Sequence, residues 1–224
     1  MIRRPAAILA LLTALNFLNY IDRYVLSTVL PLVEAELGLS NFVAGTLATV
    51  FLVGYFATSP FFGQLGDREG VPGGRKGLLA AGVGVWSLAT FASGLASGAA
   101  SLAGARAFVG IGEASYGTIA PTIIDDLAPP SKKGRWFSIF YLGITVGSAL
   151  GFVIGGVVQK FVGWRATFFV VGGPGILAAL LCLGMVEPAR KGLAARPELL
   201  RSALRLAKIP LYRRSILGYC AATF

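Results

Sequence analysis

The chain has no histidine and only two cysteines, and only 13% of its 224 residues are charged. Each shortage excludes something. Without imidazole there is no rhomboid-type Ser–His site, no zincin metal site and no histidine-based phosphatase, so proton chemistry near neutral pH falls to carboxylates. Cys182 and Cys220 both lie in apolar segments and read as small packing residues, not as a disulfide or a metal pair. Neither a metal nor a cofactor is expected. Charge is too scarce to cover the surface of a soluble domain of this length. The strict alternation of a transmembrane barrel is also missing.

What is present is hydrocarbon: 55% of the residues are hydrophobic, with 30 glycines. Apolar runs of about 20 residues recur along the chain, the pattern of a polytopic α-helical membrane protein. Six spans are predicted, at Ala6–Leu30, Phe42–Phe62, Gly77–Ser97, Ser101–Ile124, Trp136–Val158 and Thr167–Val186. The start, with Arg3 and Arg4 before an apolar run, resembles a signal peptide. The run continues past a normal signal core without a clear cleavage site, and an uncleaved first span is the better reading.

Basic residues alternate between connectors. Arg3 and Arg4 precede span 1; Arg68, Arg75 and Lys76 follow span 2; Lys132, Lys133 and Arg135 follow span 4; a basic run from Arg190 to Arg214 follows span 6. The other connectors hold only Lys160 and Arg165, with Glu34 and Glu36 in the first. This bias predicts a cytoplasmic N-terminus and cytoplasmic loops after spans 2, 4 and 6. The net charge of +10 then reflects topology and contact with anionic membrane lipids, not nucleic-acid binding.

After span 6, "RPELLRSALRLAKIP" sets Glu198, Arg201, Arg205 and Lys208 on one helical face. Leu199, Leu200, Ala203, Leu204 and Ala207 fall largely on the other, which suits a helix on the cytoplasmic interface. "LYRRSILGYCAATF" then begins as a seventh span would. The expected division is a six-helix bundle over 1–187, an amphipathic linker over 188–210 and the start of a seventh span over 211–224. The chain thus reads as the first half of a larger protein. Spans 1–3 and 4–6 are candidates for inverted repeats, because the first span of each triplet carries embedded charge.

Those charges are the chemical content. In "LNYIDRYVLSTVLP", Asp22 and Arg23 sit inside span 1, where each costs roughly 2.5–3.5 kcal/mol at mid-bilayer. Neighbours on a helix point about 100° apart and do not pair face to face, so each needs its own partner or a shared wet sector. Asn16, Asn19, Tyr20 and Ser27 lie on the side of Arg23, while Leu11, Ile21, Val25 and Leu32 lie opposite. In "RAFVGIGEASYGTIAPTIIDD", Arg106, Gly110, Glu113 and Gly117 share one face of span 4. Arg106 and Glu113 stand roughly 10 Å apart along the axis, too far for contact but close enough for Arg106 to tune Glu113. Asp22 and Glu113 lie at similar depth and are the best proton-site candidates, with Arg106 as their modulator. Structural ion pairing without transport is the other reading of the same charges. Gly143, Gly147, Gly151 and Gly155 repeat every fourth residue of span 5 and permit close helix approach.

"GQLGDREGVPGGRKG" between spans 2 and 3 reads on composition alone as an ordinary positive-inside loop. It also resembles a loop signature of the major facilitator superfamily, in which Asp67, Arg68, Arg75 and Lys76 match the positions that latch the cytoplasmic gate. The copy departs from the pattern by placing "VPGG" between Gly70 and Arg75, which leaves the contacts of Arg75 and Lys76 open. Arg106 with Gly110, and the glycine row of span 5, resemble two further signatures of that superfamily. Within it, "NYIDRYVLS", "GIGEASYGTIAPTIIDDLAPPSKKGRWFSIFYLG" and "GWRATFF" resemble the Spinster group, whose animal members move sphingosine-1-phosphate and lysophospholipids. The resemblance covers nearly all of Leu15 to Glu187.

It implies a non-enzymatic, proton-coupled carrier working by alternating access on an amphipathic, anionic lipid-like substrate. It also implies twelve spans in two bundles, the C-terminal six-helix bundle lying in the rest of the chain, and the inner membrane of a bacterium as location. Arg23, with its forked donors, would take the anionic head, helped by Asn19, Tyr20 and Tyr116, or would make a gate contact linked to Asp22. An organic-anion and proton symporter of the same superfamily is the alternative. An aspartyl hydrolase lacks its GxGD motif, and a receptor-like half-bundle would show no cavity lined by Asp22, Arg23 and Glu113.

Overall fold

A computed structural model describes residues 1–68, 70–190 and 204–223, the last five as backbone only. The described residues are all-α. Helices α1 (Pro5–Leu37), α2 (Asn41–Asp67), α3 (Gly74–Ser93) and α4 (Ala99–Leu127) are followed by a 3-10 turn at Pro130–Lys132 and by α5 (Lys133–Leu183). These belong to one compact unit, Met1–Lys191. A second unit, Gly192–Phe224, contains a last helix, α6 (Pro210–Thr223). Residues 191–203, which hold most of the expected amphipathic linker, lie outside the described residues.

The spans expected at Trp136–Val158 and Thr167–Val186 are two arms of α5. They meet at Gly163, whose φ of 79° and ψ of 168° are not helical. A straight helix of 51 residues would run about 76 Å, far beyond one bilayer core. The chain instead reverses at Gly163, so that Lys133 pairs with Asp125 at the end of α4 while the Leu183 carbonyl accepts from Lys76 at the start of α3. A side chain at position 163 would strain this left-handed backbone, so glycine belongs there.

Stretches at Pro5–Leu37, Asn41–Asp67 and Pro130–Leu183 are long and apolar enough to cross a membrane. Helices α3 and α4 form where spans are expected but fall short of that hydropathy. The reason lies in their position: they bury Ser87, Thr90, Ser93, Arg106, Glu113 and Ser115 against neighbouring helices. By contrast α2 buries only Ala44, Leu47, Phe51 and Gly66 and exposes Phe56, Phe61 and Val53. High hydropathy thus marks the helices that turn most of their surface outward.

Packing relies on bare backbone. The glycine row of α5 lies against α1: a Cβ at Gly147 would stand 2.7 Å from the Phe17 carbonyl oxygen and 3.0 Å from Tyr20 Cβ. One at Gly151 would stand 2.9 Å from the Ile21 carbonyl oxygen. Residues 164–183 use Gly172 in the same way against Ser87 and Phe91 of α3. Gly147→Leu should therefore cost about 1–3 kcal/mol through overpacking. Gly134→Ala, at a glycine with nothing within 4 Å, should be neutral or stabilising. Thermal unfolding of the two variants in detergent checks the contrast; equal melting temperatures would remove the argument.

Two apolar cores form along the bundle. One gathers Leu12, Leu15, Leu79, Trp86, Ile119 and Phe140; the other gathers Val25, Val29, Leu47, Leu102, Trp164 and Phe168. Asn16 and Asn19 on α1, and Arg106 on α4, occupy the belt between them.

Candidate functional site

The belt holds two crossed ion pairs between α1 and α4. Arg23 donates from Nε to Glu113 Oε2 at 2.6 Å, and Arg106 Nη1 lies 3.5 Å from Asp22 Oδ1. The neighbours Asp22 and Arg23 diverge, as helix geometry requires, and both find their partners on α4. Besides the action on Glu113 expected of it, Arg106 pairs directly with Asp22. Arg106 and Glu113 stand two turns apart on one helix, so each reaches across to a different residue of α1.

Burial makes these pairs consequential. Asp22, Arg106 and Glu113 are almost fully buried, while 26% of the Arg23 side chain is exposed. Asp22 accepts a hydrogen bond from the Thr90 hydroxyl of α3, a partner that sequence patterning does not reveal. Asp22 Oδ1, Glu113 Oε1, and Nε and Nη1 of Arg106 have no hydrogen-bond partner among the described residues. Charges this poorly solvated hold only while their partners remain.

A cavity of about 250 Å³ opens beside them, lined by Tyr20, Arg23, Tyr24, Leu26, Ser27, Ala48, Phe51, Leu52 and Arg106. Tyr20, Phe51 and Tyr55 place their ring centroids 5.0, 5.1 and 5.2 Å from the Arg23 guanidinium carbon. The α2 aromatics were not legible in sequence, because nothing in "TVFLVGYF" distinguishes a cavity wall from lipid-facing surface. A second, apolar hollow of about 540 Å³ lies between α1 and α5, with Leu9, Thr13, Phe17 and Leu142 among its walls.

Tyr20 lines the cavity. Asn19 is buried, with Nδ2 unpartnered among the described residues. Tyr116 does not reach the cavity: it is 1% exposed, donates to the Leu12 carbonyl at 2.5 Å and packs edge-on against Trp86. Asn16, expected on the sector of Arg23, donates instead to the Phe140 carbonyl of α5 at 2.9 Å.

At the end of the bundle that holds the N-terminus, the loop before α3 winds through Gly70, Gly73 and Gly74, all at positive φ. This winding makes Arg75 part of the first turn of α3 and settles the contacts that the "VPGG" departure left open. Buried Arg75 pairs with Asp126 at 2.6 Å and Glu187 at 3.0 Å, and donates to the Thr122 hydroxyl and the Pro188 carbonyl. Lys76 reaches the Leu183 carbonyl at 3.3 Å. Asp67 and Arg68 are exposed, and the Arg68 carbonyl accepts from Arg190 at 2.8 Å. Ile2 bridges to Met185 at the same end.

The opposite end has its own clasp, which sequence reasoning did not find. Glu36 accepts from Trp164 Nε1 at 2.6 Å and pairs with Arg165 at 2.9 Å. Arg165 also donates to the carbonyls of Gly94 and Ala96, tying α1, the α3–α4 turn and the kink of α5 together.

The Major Facilitator Superfamily profile matches residues 12–224. Among curated proteins, human "Protein spinster homolog 1" is 38% identical over 99% of this chain and 43% of its own length. Mouse "Sphingosine-1-phosphate transporter SPNS2" is 36% identical over 96% of this chain and 40% of its own. A solved structure of a bacterial homolog to the human lysosomal transporter Spinster, inward-facing and unoccupied, superposes with a TM-score of 0.76. It is 28% identical over 87% of this chain and 46% of that one. The chain therefore spans less than half the length of the relatives it matches. The apolar helices and these relatives make it a multi-pass integral membrane protein.

Proposed function

We propose that this chain, which belongs to the Major Facilitator Superfamily, forms the N-terminal bundle of a proton-coupled carrier for an amphipathic, anionic lipid-like substrate. The observation that carries the reading is the pair of buried ion pairs, Asp22–Arg106 and Arg23–Glu113, beside a cavity. Similarity to Spinster proteins supports the substrate class. The lining supports it too: Leu26, Ala48, Phe51 and Leu52 are poor company for a small, fully solvated organic anion.

The proposed bundle covers 1–187, with a linker over 188–210, a seventh span from 211, and a second six-helix bundle in the rest of the protein. Packing supports a three-plus-three inverted repeat. Exchanging α1 with α4, α2 with residues 133–162, and α3 with residues 164–183 maps the α2–α4 contact onto the contact of α1 with α5. It leaves the α1–α4 ion pairs in place. The basic bias of the connectors supports a cytoplasmic N-terminus, and the likeness to a bacterial homolog's structure supports the inner membrane of a bacterium as location.

In the proposed cycle, a proton on Glu113 removes the charge that holds Arg23. The guanidinium then turns to the phosphate or carboxylate of the substrate, for which its forked donors are suited. The apolar hollow, whose wall includes Phe17 one turn from Tyr20, takes the hydrocarbon part. Asp22 and Arg106 form the second element of the switch, and occupancy biases one of two bundle arrangements. Arg75 and Lys76 lock the inner end of this bundle. Asp67 and Arg68, both exposed, are proposed as the remaining members of the gate. The reading is that of a carrier and not of an enzyme, which the family match supports.

The test is uptake of a labelled lysophospholipid by the full-length protein in proteoliposomes. Uptake should require an imposed pH gradient and collapse with a protonophore. Uptake indifferent to the gradient, or a preference for short water-soluble anions, would refute the proposal.

A further inference from the structure

Phe51 stands where the two ion pairs meet. Its ring centroid lies 5.1 Å from the guanidinium carbon of Arg23 and 5.4 Å from that of Arg106. The side chain is almost fully buried. Two like charges that hold different carboxylates are therefore both within cation–π range of one ring. Backbone packing brings it there. A Cβ at Gly110, which lies between Arg106 and Glu113 on α4, would meet Tyr55 N at 3.0 Å. One at Gly54 of α2 would meet the Ala107 carbonyl oxygen at 2.7 Å. Only helices stripped of side chains at this crossing let Phe51 sit between the pairs.

The two arginines depend on the ring unequally. Arg23 has a short hydrogen bond to Glu113 and two further rings, Tyr20 and Tyr55. Arg106 has a 3.5 Å ion pair with Asp22 and Phe51, while its Nε and Nη1 lack hydrogen-bond partners among the described residues. An anchor shared in this way transmits displacement: when one guanidinium leaves, the other loses a repelling neighbour and can settle closer over the ring.

We propose that Phe51 is a positioning residue that couples the two ion pairs, one ring holding both guanidiniums so that each carboxylate responds to the state of the other. The proposal rests on the reading of Asp22 and Glu113 as the proton switch. The charged and titratable groups facing the ring, directly or through the arginines, are Asp22, Arg23 and Tyr20 from α1, Arg106 and Glu113 from α4, and Tyr55 on α2 itself.

Fluorination separates this role from packing, because successive fluorines on phenylalanine drain the ring face while nearly preserving its shape. The full-length protein is prepared with mono-, di- and trifluorophenylalanine at position 51, and with Phe51→Leu as a ring-free reference. Infrared titration follows the protonated-carboxyl bands of Asp22 and Glu113, assigned by their loss in Asp22→Asn and Glu113→Gln. Both midpoints should move monotonically along the series by about half a pH unit, a roughly threefold change in equilibrium. Tyr55→Leu should move the Glu113 band more than the Asp22 band, since Tyr55 faces Arg23. Midpoints that stay constant along the series overturn the proposal, as does movement of the Glu113 band alone. Wild-type uptake is measured in parallel. If both bands move while uptake ignores the pH gradient, the carrier reading fails and the coupling stands; static bands with gradient-driven uptake give the reverse.

Discussion

Replacing Glu113 by glutamine, or Asp22 by asparagine, is expected to abolish uptake driven by a pH gradient while leaving the protein folded. Glutamine keeps an oxygen for Arg23 Nε, and asparagine keeps an acceptor for the Thr90 hydroxyl, so shape and hydrogen bonding survive. What disappears is the charge that alternates. Each variant leaves a guanidinium without its counter-ion, Arg106 at 3% side-chain exposure being the harsher case. Removing one member of a buried pair outright costs about 3–5 kcal/mol. The amides keep shape and acceptor and should lose only part of that, so the melt stays cooperative and falls less than for Arg75→Ala. Even about 2.7 kcal/mol at the rate-limiting barrier slows turnover roughly a hundredfold. The measurement is initial uptake between pH 5 and 8 with the gradient imposed, alongside a melting curve. A flat, low uptake profile with a cooperative melt, lowered but well above the assay temperature, is the expected result. Retention of the wild-type pH profile by both variants would remove the proton role from these carboxylates.

The largest loss of stability is expected from Arg75→Ala. Arg75 is the centre of the inner-end network, touching Asp126, Glu187, Thr122 and the Pro188 carbonyl from a side chain 5% exposed. Alanine would take the Arg75 ion pair from Asp126, itself 8% exposed, and release the segment after α5 from the start of α3. The cost is again about 3–5 kcal/mol, or roughly 6–20 °C in melting temperature for a unit of this size. Arg75→Lys keeps the charge but loses the fork, and should fall between wild type and alanine. In a double-mutant cycle with Asp126→Ala the two losses should be strongly non-additive. Additive losses would show that Arg75 stabilises by packing its stem and not by its ion pairs.

Much of the architecture was legible because membrane burial is written in composition. Apolar runs, the basic bias of the connectors and the glycine row of α5 each follow from a local constraint. Hydropathy located the helices; α3 and α4 are the less apolar ones because they spend their surface on neighbours and can therefore carry Ser87, Thr90, Arg106 and Glu113. Asp22, Arg23, Arg106 and Glu113 stood out for the cost of burying them. Tyr116 was misplaced because three residues from Glu113 on a helix is the same face in projection, yet its ring turns into the core beside Trp86.

The sequence by itself determined the helices, the membrane character and the four charged residues that demand partners, because hydrocarbon penalises every unpaired charge wherever it lies. Only the tertiary structure decided who pairs with whom. Arg106 holds Asp22 and Arg23 holds Glu113, since partners two turns apart on α4 must be reached from different residues of α1. It also decided that Phe51 lies between them and that Arg75 joins Asp126 and Glu187. Those contacts depend on helix crossings made close by Gly54, Gly110, Gly147 and Gly151, and a crossing is a property of two surfaces that no single stretch of sequence carries.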